Sequence, residues 1–193
     1  MAPVADERWF YRSDNDWTAI VERLKQTRCP HCKVVGTLIR HGCLCGRDES
    51  SPRQDTLRAR RIFCSNRNAR PGCGRTFSIW LAHKVPRLSL TAGALWRFLH
   101  LAVAGAVIAA GQAVCGRLSD RTWQRIWQRF HQAQCHIRTA LHRRCPPPPL
   151  TDCLPENPAR QPVSQVLAHL QAAFPDAPCP IADFQQIMQT FFV

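Results

Sequence analysis

A small α+β fold is predicted: an N-terminal helix, a compact module of three short antiparallel strands, an all-α bundle and a helical tail. Two observations carry this prediction. Four cysteines, Cys29, Cys32, Cys64 and Cys73, are interleaved with short β-branched or aromatic runs bounded by glycine or charge. Beyond Ser89 the apolar residues instead recur at three- and four-residue spacing. The chain of 193 residues divides accordingly into a helical segment (1–27), the strand module (28–81), a helical domain (88–144), a Pro-rich linker (145–162) and an amphipathic tail (163–193).

Asp14 or Asn15 is placed to cap the first helix, which runs to about Gln26 with Trp17, Ile20, Val21 and Leu24 on one face. Strands are expected at Thr37–Arg40, Arg60–Phe63 and Thr76–Trp80. A flexible hairpin tip is expected around Asp48–Arg53. Cys29-Pro30-His31-Cys32 at a tight turn presents two thiolates to one metal, and Cys64 with Cys73 closes the site from a second hairpin. Four cysteine ligands on three short strands make a zinc ribbon, in which zinc replaces much of a hydrophobic core. The second pair is spaced by Ser65–Gly72, much wider than the first, so the loop must project before returning, carrying Arg67 and Arg70 into solvent. His31, His41, Cys43 and Cys45 are spare donors. Cys43 and Cys45 share a strand face, as buried or free thiols, as substitutes for a ligand or as holders of a second metal.

In the helical domain, Ser89 or Thr91 starts a helix whose buried stripe is Leu95, Phe98, Leu99 and Ala102, with Gly105 and Gly111 as breaks. A short helix from about Ala106 to Cys115 is expected to end in a left-handed Gly116. After a turn, Ser119 or Asp120 caps a long helix with Trp123, Ile126, Trp127, Phe130, Ile137 and Leu141 on one face. Its opposite face carries Arg121, Gln124, Arg125, Gln128 and Arg129. Helix, glycine-containing turn and a helix opening with Arg and Gln form a helix-turn-helix pattern, whose side chains can reach guanine and adenine edges in a major groove. Prolines from Pro146 onward start the linker. Two modest amphipathic segments follow, Val163–Phe174 and Ile181–Phe192. The last is sticky enough to fold back or to bind a protein partner or a second copy through 181–193.

Charge is placed unevenly. The formal net charge is +13, yet residues 29–144 hold twenty bases and four acids. A basic body points to a polyanion, with double-stranded DNA favoured by the helical pattern and RNA equally compatible with the ribbon. Arg60, Arg61, Arg67, Arg70 and Arg75 crowd the ribbon as candidate phosphate contacts. Eleven cysteines, no signal-like opening and a metal-type spacing fit a reducing cytoplasm, with the chain associated with the nucleoid. The apolar run Phe98–Cys115 is read as buried helices rather than a membrane span, because it is rich in Ala and Gly and holds Gln112.

Cys29-Pro30-His31-Cys32, Thr37–Gly42, Arg60-Arg61-Ile62-Phe63-Cys64 and Cys73-Gly74-Arg75-Thr76-Phe77-Ser78 resemble the zinc ribbon of insertion-sequence transposases and their small accessory proteins. The likeness covers residues 28–81 well and 89–144 loosely. It implies a ribbon preceding a helix-turn-helix that binds transposon-end or promoter DNA. The wide second cysteine spacing departs from that family's usual two residues. Transposases of this type also hold metal ions on an acidic triad in a ribonuclease-H-like domain. Thirteen scattered acids and no later strand-rich segment offer no such triad, so no catalytic activity is expected. Cys-Pro-His-Cys is also the active-site sequence of disulfide-forming enzymes. That thiol chemistry requires Cys29 at a helix N-terminus, whereas Cys32 leads through Lys33 and two valines into a strand. An RNA-binding zinc protein and a partner-binding adaptor complete the alternatives.

Overall fold

A computed structural model describes residues 8–149 and 157–193. It is a small α+β protein, with six α-helices and one four-stranded mixed sheet among the described residues. The chain divides between Lys84 and Val85 into two compact units.

The first unit begins with a two-residue strand, β1 (Phe10–Tyr11), and a helix, α1 (Asp14–Arg23). Ser13, rather than Asp14 or Asn15, caps α1. Its hydroxyl accepts from Asp16 N, and the Asp16 carboxylate accepts from Ser13 N, each at 3.1 Å. A 3-10 turn, Leu24–Gln26, completes the segment. Three longer strands follow, β2 (Leu38–Gly46), β3 (Thr56–Cys64) and β4 (Thr76–Leu81). The sheet order is β1-β4-β3-β2. β3 is antiparallel to both neighbours, and β1 adds the parallel edge that the sequence pattern did not reveal.

β2 and β3 extend well beyond the expected runs, because the ladder continues through Cys43–Arg60 and Cys45–Leu57 despite two register shifts. The expected flexible tip is anchored. Asp48 is buried and accepts from Ser50 N, Ser50 Oγ and Ser51 N, while Lys84 Nζ lies 2.5 Å from its other oxygen. Alternation along β3 sends Ile62 and Cys64 to the face covered by α1. There they form a core with Tyr11, Trp17, Leu24, Leu38 and Ile79.

The second unit is helical: α2 (Ala92–Ala104), α3 (Val107–Val114), α4 (Asp120–His142), α5 (Gln161–Ala173) and α6 (Pro180–Met188). Thr91 and Ser119 cap α2 and α4 with their hydroxyls. Gly105 ends α2 as expected, but Gly111 does not break α3. Here the missing Cβ lets α3 approach α4, since a methyl at that position would lie 2.2 Å from Trp123 Cγ. α3 ends at Val114 on an extended Cys115, so the expected left-handed Gly116 cap does not form.

The Pro-rich linker expected over 145–162 lies partly outside the described residues. Residues 150–156 fall outside the described part, whereas Pro158 opens a 3-10 turn and Pro162 sits in the first turn of α5. The tail folds back. Ile181, Phe184 and Phe192 are buried, and Phe192 stacks on Phe130 of α4 with centroids 5.7 Å apart. Of the supposed sticky terminus, Ile187 and Phe191 remain exposed. No helix among the described residues is long and apolar enough to cross a membrane; Gly105-Ala106 splits the one tempting run.

Candidate metal centre

Cys29 and Cys32 flank a turn in which Cys29 O accepts from Lys33 N and Val34 O accepts from Cys29 N, at 2.9 and 3.0 Å. The turn requires Lys33 to adopt a left-handed conformation, φ 62°. Cys64 is the last residue of β3, and Cys73 arrives just before β4. The chain between them leaves and returns through a pinched neck. Cys64 N donates to Arg75 O and Gly74 N to Cys64 O, at 2.9 and 3.0 Å. Gly72 lies so close to the Ser65 backbone that a Cβ would stand 2.1 Å from its carbonyl oxygen. The wide spacing is thus accommodated by an outward loop, and the two cysteines stay adjacent across the ladder.

The four sulfurs converge within 4.8 Å of one another, with Cys29 to Cys73 at 3.8 Å and Cys32 to Cys64 at 3.7 Å. These separations are far longer than a disulfide bond. They match the edge of about 3.8 Å in a tetrahedron whose metal–sulfur bonds are about 2.3 Å. Four thiol donors in this arrangement can hold a metal ion. Supporting hydrogen bonds orient them: Cys73 N donates to Cys64 Sγ at 3.3 Å, and Thr37 Oγ1 lies 3.1 Å from the same sulfur.

Ionisation is unequal in the free thiols. Burial pushes Cys29 up to about 12, whereas the Val34 backbone N–H draws Cys32 down to about 7. Cys29 and Cys64 are buried, Cys32 is half-buried and Cys73 is exposed, so the site lies near the surface with one open side. His31, His41, Cys43 and Cys45 are exposed and take no part in the cluster.

The candidate nucleic-acid residues separate into two kinds. Arg61, Arg67, Arg70 and Arg75 are exposed on β3 and on the chain between Cys64 and β4. Arg60 instead turns inward: its guanidinium lies 5.0 Å from the Trp17 ring, donates to the Tyr11 hydroxyl at 3.2 Å and pairs with Asp14 at 2.7 Å. It fastens α1 to the sheet, an assignment that a charge count could not make. On α4, Arg121, Gln124, Arg125, Gln128 and Arg129 are all exposed on the face opposite Trp123, Ile126 and Phe130. Across the preceding turn, Gln112 Nε2 donates to Asp120 Oδ1 at 2.8 Å. Cysteine spacing could not have pointed to Thr37, nor to Phe63 and His41, whose rings lie 5.3 Å apart.

Neither a family model, nor a curated protein, nor a solved structure matches this chain.

Proposed function

We propose that this protein is a zinc-dependent, sequence-recognising DNA-binding protein, transposase-associated or regulatory, without a catalytic domain of its own. The observation that carries the reading is the arrangement of α3, turn and α4. A short helix packs closely through Gly111 onto Trp123, a hydrogen-bonded turn follows, and α4 opens with exposed Arg121, Gln124, Arg125 and Gln128. Seven arginines between residues 117 and 144 are offset by Asp120 alone. A helix N-terminus with Arg and Gln projecting from one face suits entry into a major groove, with Arg reading guanine and Gln reading adenine. The one-sided charge of the polar face favours a polyanion partner over a merely solvated surface.

Zinc is the metal favoured for the four cysteines, because tetrahedral all-thiolate sites select it over harder cations. Bound there, it would stabilise the ribbon structurally; four protein ligands leave no open position for substrate. The exposed Arg67 and Arg70 loop beside it supplies phosphate contacts.

The test combines metal analysis with duplex-DNA titration over a range of salt concentrations. One zinc per chain and steeply salt-sensitive binding are expected. Replacing Arg121, Arg125 and Gln128 together by alanine should remove sequence preference. Unchanged affinity and preference in that variant would refute the role of α4. A Cys64→Ser/Cys73→Ser protein that keeps its metal would refute the ligand assignment, and one that is metal-free but fully folded would refute the metal's structural role.

A further inference from the structure

The sheet has a second face, of which the duplex reading uses only Arg67. Strand alternation places Arg61 and Phe63 opposite the buried Ile62 and Cys64. The register sets Ile39 and Thr76 beside Phe63, and Ser78 beside Arg61. Phe63 and the three neighbours Ile39, Thr76 and Ser78 are half-buried, and Arg61 is exposed. The exposed His41 ring lies tilted against Phe63 at 5.3 Å, and the exposed Arg67 guanidinium stands 5.6 Å from the Phe63 ring centre. Arg61 Nη2 donates to Thr76 Oγ1 at 2.8 Å, which holds its guanidinium along this face.

Aromatic rings left half-open on a sheet, with planar cations beside them, would be a poor choice for an inert surface. No acid occurs from residue 56 to residue 119, so the arginines are not neutralised by neighbours in sequence. Duplex DNA shields its base faces inside the stack and has no use for such rings. A single strand offers both phosphates and open base faces. The combination of Phe63, His41, Arg61 and Arg67 therefore fits a chain of unstacked nucleotides better than a duplex or an acidic protein.

We propose that this open face of the ribbon sheet is a stacking platform for single-stranded nucleic acid. Bases stack on His41 and Phe63, and Arg61 and Arg67 hold the backbone. The proposal goes beyond duplex recognition by α4 and does not depend on it.

The test uses the full-length protein and labelled strands of about fifteen nucleotides, within the span that one small sheet domain covers. Oligothymidylate and oligouridylate are compared with an abasic strand of equal charge. Binding of at least one base-bearing strand should be about tenfold tighter than the abasic one. His41→Ala with Phe63→Leu should erase that preference and leave the charge-driven affinity, while Arg61→Ala with Arg67→Ala should weaken every strand. Retained metal content and circular dichroism verify folding. If Phe63→Leu perturbs the fold, the exposed His41→Ala decides alone by narrowing the preference.

Equal affinity for base-bearing and abasic strands, or a full preference surviving in the folded aromatic variants, would overturn the platform. Duplex binding measured on the same samples keeps the two readings apart. Its loss in the α4 variant with single-strand preference intact supports the platform independently.

Discussion

Gly111→Ala is the perturbation with the least obvious sign. In an ordinary helix interior, alanine is favoured over glycine by about 1 kcal/mol, so propensity alone predicts a stabler protein. At position 111 the added methyl would meet three atoms of the Trp123 ring at 2.2, 2.4 and 2.5 Å. Ordinary carbon contacts begin at about 3.5 Å, so α3 or Trp123 must retreat by more than an ångström. Trp123 is fully buried and packs against Phe98 at 4.7 Å, which leaves it little room. Overpacking of this kind costs about 1–3 kcal/mol, and the rigid indole places this case near 3. Subtracting the propensity gain leaves a net destabilisation of about 2 kcal/mol. Gly93 in α2 is the control, because a Cβ there meets nothing within 4 Å. Gly93→Ala should be neutral or stabilising by up to about 1 kcal/mol. Urea unfolding followed by far-ultraviolet circular dichroism measures both. A Gly111→Ala protein as stable as Gly93→Ala would refute the close approach of α3 to α4, and with it the packing that presents α4.

Breaking the buried Asp48–Lys84 pair by Asp48→Asn should destabilise the first unit by about 3 kcal/mol at neutral pH. Burial pushes the Asp48 carboxyl up, but the Lys84 ammonium and the Ser50 hydroxyl and amide outweigh it and hold the group below its ordinary value of 3.8. A depressed carboxylate contributes stability above its unfolded value and loses it as pH falls. The gap between wild type and Asp48→Asn should therefore close on acidification below about pH 4, and a gap independent of pH would contradict the ion pair. Chelating the metal should unfold the first unit, seen as a change in the part of the tryptophan fluorescence that comes from Trp9, Trp17 and Trp80, while the helices of the second unit retain most of the circular dichroism. Loss of both signals together would show that the units do not fold separately. Replacing Arg67 and Arg70 by alanine should weaken duplex binding without changing sequence preference. It should also reduce the salt slope by about 2, one phosphate contact for each arginine. A change in preference alone would make the loop a base reader.

The local chemistry of this protein was legible in its residues. Cys29-x-x-Cys32 with Cys64 and Cys73 named the four sulfurs before any fold was known, because a tight turn already confines two donors. The amphipathic period of α4 likewise required no tertiary information: Trp123, Ile126 and Phe130 must share a stripe on any helix. What a residue does beyond its own element was decided only by packing. Arg60 and Arg61 are neighbours with the same charge, yet alternation on β3 sends one into the Tyr11–Trp17 cluster and the other to the surface. Asp48 read as part of a mobile tip until Lys84, thirty-six positions later, closed on it. Gly111 read as a helix breaker, whereas its small size serves the contact with Trp123 across the turn. The tail's sequence did not say which of its apolar residues would pack inward; Phe192 stacks on Phe130, while Ile187 and Phe191 stay exposed. Sequence periodicity determines which residues share a face, but the partner of that face depends on contacts between distant segments.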